Sequence, residues 1–252
     1  MNPTERFSNR VENYRRYRPG YPAAVIDLIR TTAGLRDGTR VADIGSGTGI
    51  LTRLLLDAGW EVFAVEPNAP MRLAAAADLR VLPRFHSIDA RAEATGLPAA
   101  AVDAITCAQA FHWFDRDTAR AEFARILKPG GWAFIIWNER QLSGAADQAY
   151  SRILESIGHA YDGVRERGSV QNDRALEPFF RPGTYGTAQI PNPSRQDWET
   201  LRGRFLSSSY VPPEGDPRHG ELIERLEDLF REHARDGEVT LDQSANVYFG
   251  QL

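Results

Sequence analysis

The stretch Arg40-Val41-Ala42-Asp43-Ile44-Gly45-Ser46-Gly47-Thr48-Gly49 constrains the fold more than any other part of this 252-residue chain. A short apolar strand carries an acid near its end, glycines follow at 45, 47 and 49, and a helix-like run opens at Ile50. Glycines there leave bare main chain, so a ligand can lie against the backbone at the C-terminal end of a strand. Glu66 closes a second apolar strand, residues 61–65, and stands seventeen positions after Gly49. A carboxylate at that tip is placed to accept from the two hydroxyls of a ribose. The G-x-G-x-G spacing departs from the G-x-G-x-x-G of dinucleotide enzymes. Asp43, two residues before the first glycine, suits a ligand that carries a positive charge.

Strands and helices alternate around this motif. Apolar runs predict strands over 40–44, 61–65, 84–88, 102–107 and 132–138. Helical spacing predicts helices over 48–58, 69–77 and 117–127, with a short one near 91–95. Such alternation means parallel strands joined by right-handed crossovers. Continuous apolar runs such as 133–137 suit strands covered on both faces. Residues 127–131, Leu-Lys-Pro-Gly-Gly, read as a helix end and a turn.

Before the motif, Phe7, Val11 and Tyr14 lie at helical spacing over 4–18, Pro19 and Gly20 stop that helix, and 23–32 form another. After Asn138 the alternation lapses. A helix over 145–160 and a polar stretch over 161–175 precede a strand over 183–191, helices over 196–206 and 220–234, and strand over 238–241 and 245–252. Residues 139–182 read as an insertion within one domain spanning 1–252, behind a helical region at 1–32.

Composition narrows the class. The chain is 42% apolar and 25% charged, as a globular protein is, and its net charge of −4 argues against a surface built to coat nucleic acid. Cys107 is the single cysteine, so no intramolecular disulfide forms, and no Cys/His cluster has zinc spacing. No apolar run has the length of a membrane span, and the first residues have no apolar core of a signal peptide. These features point to the cytoplasm, with no membrane and no metal.

Several motifs occur in order: residues 41–49, then Val65-Glu66-Pro67, Leu97-Pro98 with Val102-Asp103, and Leu127-Lys128-Pro129-Gly130-Gly131. The set resembles the class I S-adenosylmethionine (SAM)-dependent methyltransferases, well over 11–140 and loosely beyond. Residues 13–22 and 109–115 are similar to the small-molecule branch that includes trans-aconitate methyltransferase-like proteins. The resemblance implies a Rossmann-like α/β fold: a seven-stranded, mostly parallel sheet with its last strand antiparallel, helices on both faces, and a helical insertion after the fifth strand. It implies transfer of the SAM methyl group to a small-molecule acceptor, leaving S-adenosylhomocysteine, in a monomer or homodimer.

Roles follow position by position. Gly45, Ser46 and Gly47 match the loop under the methionine part of SAM, Asp43 the acid that meets its ammonium, and Glu66 the ribose ligand. Pro67 and Met71 lie where the family packs adenine. Gln109 and Ala110 match the floor near the sulfonium. The family often has an acid before an Ala-Glu pair; here Arg91 precedes Ala92-Glu93, so either Asp89 or the backbone of Ala92 reads the adenine amine. Tyr14 and Arg18 belong to a lid over SAM or to an exposed basic helix; in a lid, Tyr14 packs near the sulfonium and Arg18 meets the SAM carboxylate.

Phe111, His112, Trp113, Ser209 and Tyr210 are the expected acceptor side. His112 is either a general base toward a hydroxyl or amine, or a packed ring in its turn. Two competing functions are a SAM-binding protein without turnover and a nucleic-acid or protein methyltransferase. Against the latter, Gln109-Ala110-Phe111-His112 stands where an Asn-Pro-Pro-Tyr motif would lie, and there is no basic extension.

Overall fold

The computed structural model describes residues 11–158, 173–208 and 210–252. Two helices, α1 (Val11–Tyr17) and α2 (Ala23–Ala33), precede the sheet. The α/β alternation then runs β1 (Arg40–Ile44), α3 (Ile50–Asp57), β2 (Glu61–Val65), α4 (Ala69–Leu79), β3 (Phe85–Ile88), β4 (Val102–Ala108), α5 (Arg116–Ile126) and β5 (Leu127–Arg140). Beyond it come α6 (Ala145–Glu155), β6 (Gly186–Pro191), β7 (Ser194–Gln196), α7 (Trp198–Leu206), α8 (Pro217–His233), β8 (Val239–Leu241) and β9 (Gln243–Gly250).

The main sheet is seven-stranded in the order β3-β2-β1-β4-β5-β9-β6. The β1–β2, β1–β4, β2–β3 and β4–β5 pairs are parallel, and β9 runs antiparallel to both neighbours, β5 and β6. Side chains alternate along each strand, so the inner strands feed two cores. Val41, Phe134 and Ile136 join Val25, Ile29, Leu51 and Leu55 of α2 and α3 on one face. Ala42, Ile44, Ile135 and Trp137 join Phe123 and Ile126 of α5 on the other. This double burial explains the continuous apolar runs.

A third core lies apart from the sheet. Tyr150, Ile153 and Leu154 of α6 pack with Leu201 and Phe205 of α7, Leu222, Leu226 and Leu229 of α8, and Val239 and Leu241 of β8. This cap therefore draws on two stretches of chain, one after β5 and one after β6, whereas the sequence reading placed the addition in 139–182 alone. Residues 159–172 of that stretch lie outside the described residues.

Several local expectations change. No helix forms near 91–95; Arg91 bridges Ala94, and Thr95 donates both N–H and hydroxyl to Glu122 Oε1 at 2.8 and 2.6 Å. Five residues are too few to nucleate a helix against that competing anchor. The 127–131 turn is drawn into β5 as an irregularity: Val102 faces Leu127 but Ala104 already faces Trp132. A Cβ on Gly131 would stand 2.9 Å from the Asp103 carbonyl, so only glycine lets the strands close there.

Helix starts follow their caps. Asp197 accepts from the Thr200 amide, so α7 opens at Trp198, and residues 194–196 pair with β8. Asp216 caps α8 with Pro217 as its first residue, ahead of the start expected at 220. Among the described residues no helix is long and apolar enough to cross a membrane.

Candidate functional site

The sheet order reverses between β1 and β4, which opens a crevice beyond the carboxyl ends of these strands. The glycine loop fills its near wall. Gly45, Gly47 and Gly49 all have positive φ, at 70°, 57° and 84°, yet they do different work. A Cβ on Gly45 would lie 2.4 Å from Ala110 Cβ, so this glycine lets the loop after β1 approach the end of β4. A Cβ on Gly49 would lie 2.6 Å from Leu79 Cδ1 and clash with α4. Gly47 alone faces open space, with Met71 Sδ at 3.9 Å the nearest atom. The sequence reading set Gly45 and Gly47 alike under the ligand; the structure leaves only Gly47 of the three without a close neighbour at its Cβ position. Ser46 stands beside it, its N–H donating to the Val65 carbonyl at 3.2 Å.

Glu66 ties the loop to the second strand. Its Oε2 accepts from Gly47 N–H at 2.9 Å and its Oε1 from Asn68 N–H at 2.8 Å. The residue is 7% exposed, and burial raises its pKa against the pull of the Asn68 and Gly47 amides and of Arg72. Each carboxylate oxygen retains a lone pair, enough for two hydroxyls. Asn68 also caps α4 by accepting from Met71 N–H at 3.0 Å, which sets Met71 beside Gly47. Pro67 is half-buried between the two.

Asp43 is deeper, 1% exposed, and accepts the Thr52 hydroxyl at 2.6 Å and the Thr106 hydroxyl at 2.9 Å. The sequence reading missed both threonines. Thr106 was detectable as a polar residue inside the apolar run of β4, directly opposite Asp43 in register. Burial pushes the Asp43 carboxyl up to about 6, opposed by those two hydroxyls. The folded value lies above the ordinary 3.8, so the fold binds this proton more tightly than the unfolded chain. Stability contributed by the neutral form is present below that ordinary value and is lost as pH rises through about 6. The loss is about 3 kcal/mol. Asp43→Asn should therefore be more stable than the parent by about 1–3 kcal/mol at pH 8 and nearly equal at pH 4. Urea unfolding at the two pH values measures this, and a gap independent of pH would exclude Asp43 as its source.

Past the end of β3, Asp89 is exposed and pairs with Arg72 at 2.7 Å, while the same arginine donates to the Glu66 carbonyl at 2.9 Å. Arg91 is exposed and faces Glu93 at 3.3 Å; Ala92 is buried. Arg72, unremarked in the sequence, thus links the main chain of Glu66 to Asp89, the residue after the third strand.

The far wall follows β4. Gln109 is a non-glycine residue at φ 56°, a costly left-handed conformation held by its N–H to the Ile136 carbonyl and its amide to the Asn138 carbonyl. A short helical turn, Phe111–Trp113, follows. His112 stands half-buried in it, its ring 4.7 Å from that of Trp113. Phe111, expected on the acceptor wall, has no exposed surface: its ring packs edge-on against Phe114, Trp137 and Phe179. It supports the wall from behind, because an apolar ring on the inner side of that turn falls into the sheet core.

The opening segment spans the molecule. Arg15 of α1 pairs with Asp78 of α4, Arg16 and Tyr17 both reach Glu199 of α7, and the Tyr17 ring lies where a Cβ on Gly203 would be. The Gly20 carbonyl then accepts from Asn138 and Asn192 at 3.1 and 3.0 Å, fixing 18–22 against the end of β5. Arg18 lies with Tyr150, Arg204 and Tyr210 of the cap. The side chain of Tyr14, and Ser209, lie outside the described residues.

The sequence matches the methyltransferase domain family over residues 42–135. An uncharacterized methyltransferase of Mycobacterium tuberculosis is 38% identical over 174 residues, covering 69% of this chain and 65% of that protein. The chain belongs to the class I SAM-dependent methyltransferases. The match spans about two thirds of the mycobacterial relative's length. An uncharacterized methyltransferase of Schizosaccharomyces pombe is 29% identical over 241 residues, 89% of this chain and 88% of that one. In fold, the chain is similar to a candidate type II methyltransferase from Anaeromyxobacter dehalogenans, with a TM-score of 0.68 at 24% identity, covering 93% of this chain and 98% of that one. It is also similar in fold to a Haemonchus contortus phosphoethanolamine N-methyltransferase in complex with phosphomonomethylethanolamine and S-adenosylhomocysteine. There the TM-score is 0.59 at 15% identity, with 99% of this chain and 58% of that one covered.

Proposed function

We propose that this protein transfers the methyl group of SAM to a small-molecule acceptor. The observation that carries the reading is Gly47: a left-handed glycine facing open space, its N–H donated to the buried carboxylate of Glu66 at the switch point of the sheet. This is backbone cleared for a ligand, with a diol acceptor beside it. Gly47, Glu66, Met71 and Asp43 would hold SAM. Bound there, it supplies a methyl group on an already activated sulfonium, so the protein's task is orientation and exclusion of water.

The chain's own groups divide that task. Glu66 fixes the ligand's place along the crevice, and the strained Gln109 and Ala110 close the floor. α1 bridges α4 and α7, which supports its reading as a lid between sheet and cap. His112, in the turn after β4, is placed to accept a proton when the acceptor presents a hydroxyl or amine; a carboxylate acceptor needs none. The narrower likeness to trans-aconitate methyltransferase-like proteins rests on the 13–22 and 109–115 motifs.

Calorimetry with S-adenosylhomocysteine tests the reading. Micromolar binding is expected, with slower hydrogen exchange over 11–18 once the ligand is present. Absence of binding would refute it, and binding without protection would remove the lid. With an acceptor in hand, His112→Gln should lower turnover by about 10²–10⁴-fold and leave S-adenosylhomocysteine affinity unchanged. A ring that only packs would instead lower the melting temperature and spare turnover.

A further inference from the structure

Two acids stand at neighbouring strand ends, and neither is held by a cation. Asp43 lies on β1, and Glu66 follows β2, which pairs with β1 in parallel register from Arg40 opposite Glu61 to Ile44 opposite Val65. Asp43 is 1% exposed and Glu66 7%. The Thr52 and Thr106 hydroxyls hold Asp43, and the Gly47 and Asn68 amides hold Glu66. Among the described residues no lysine, arginine or histidine forms an ion pair with either carboxylate.

The two pockets differ in kind. Main-chain amides only donate, so the Glu66 pocket favours the ion. Threonine hydroxyls rotate, and each can donate or accept. The Asp43 pocket can therefore hold a carboxylate or a neutral carboxyl with no movement of the backbone. Thr52 adds a main-chain donor, which either form can satisfy. A desolvated carboxylate with no counter-charge takes up a proton more readily than one in water. Burial brings Asp43 to about 6, against its two hydroxyl donors, and the second buried acid, Glu66, adds to the push.

The surrounding elements bring no charge that would cancel this. On β4, Cys107 follows Thr106, and its thiol is pushed up by burial and by Asp43, so it stays neutral. On α3, Arg53 and Asp57 are exposed and pair with each other at 2.9 Å. On α4, Arg72 is engaged by the Glu66 carbonyl and by Asp89, and it acts on Glu66. His112 is the titratable side chain of the turn after β4.

A ligand with a positive centre changes the balance. SAM carries an ammonium and a sulfonium, and S-adenosylhomocysteine the ammonium alone. A cation bound in the crevice favours the ionised form of a buried acid beneath it, because attraction stays strong where water is excluded. Ligand and proton then oppose each other reciprocally: whatever the ligand does to the proton's affinity, the proton does to the ligand's.

We propose that Asp43 is a proton-operated switch on cofactor binding: its carboxyl releases a proton to solvent as the cationic ligand binds, and protonating it weakens the site. The switch rests on the methyltransferase reading for the identity of the ligand. Where Asp43 is already ionised in the free protein, affinity is level with pH. Below about 6 the proton must leave first, and affinity falls by up to about tenfold per pH unit.

Calorimetry with S-adenosylhomocysteine between pH 5 and pH 8, repeated at pH 6 in buffers of different ionisation enthalpy, tests the switch. Affinity should fall about tenfold from pH 8 to pH 5, and about half a proton should leave per ligand bound at pH 6. Asp43→Asn should bind at both pH values about as weakly as the parent does at pH 5, and release no proton. The buffer series on the parent decides the matter even if that variant fails to fold. Level affinity without proton release in the parent would overturn the switch and leave the methyltransferase reading standing. A pH step kept by Asp43→Asn and lost in His112→Gln would also overturn it, by placing the proton on the histidine. Failure of S-adenosylhomocysteine to bind at any pH would overturn both the switch and the reading beneath it.

Discussion

Gly47→Val should lower S-adenosylhomocysteine affinity by 100-fold or more, about 3 kcal/mol, in a protein that stays folded. The residue sits at φ 57°, where a β-branched side chain is a genuine outlier. The strain costs of order 1–3 kcal/mol and is relieved by moving the loop. That movement withdraws the N–H that Glu66 Oε2 accepts at 2.9 Å and pushes two methyl groups into the space facing the crevice. Inside the protein the new Cβ has only Met71 Sδ within 4 Å, so the core is spared. Gly45→Ala is the opposite case: its Cβ would lie 2.4 Å from Ala110 Cβ, and the damage should appear as lost stability first. Calorimetry paired with thermal melting separates the two. Undiminished binding by folded Gly47→Val would mean that this loop is not the cradle.

Glu66→Ala should weaken binding of SAM and S-adenosylhomocysteine alike by roughly 10- to 150-fold, or 1.5–3 kcal/mol, the worth of charge-assisted hydrogen bonds to a diol. The expected change in the stability of the free protein is much smaller. Burial penalises the Glu66 charge, while the Asn68 and Gly47 amides reward it, and removing the side chain deletes both effects. A purely structural clasp between loop and strand would behave differently, with melting temperature and affinity falling together. Glu66→Gln sharpens the comparison because it keeps the volume and one acceptor oxygen, so it should fall between alanine and the parent. Equal affinity of all three proteins in calorimetry would sink the ribose assignment.

The alternation of β1 to β5 with its helices was legible because the period of apolar residues is a local property, and β1, β2 and β4 are buried along most of their length and β5 through its middle. The crevice was legible for the same reason: glycines at 45, 47 and 49 and an acid at 66 mark strand ends that parallel topology must bring together. The sequence set Gly45 and Gly47 alike under the ligand and gave Gly49 no role of its own. What distinguishes them is the neighbour each would strike, Ala110 or Leu79 or none, and those neighbours are up to 65 residues away. Thr52 and Thr106 escaped notice as well, since a threonine hydroxyl gains meaning only from the carboxylate it faces.

The cap shows the limit most clearly. Amphipathic spacing located α6, α7 and α8 within a few residues, but nothing local says that they share one core with β8 or that the chain enters it twice. Local pattern determined that this chain would build a doubly covered, mostly parallel sheet with a glycine loop at its switch point. Only tertiary packing decided what each glycine lies against and what holds the two buried acids, because those depend on distances between residues that no sequence interval encodes.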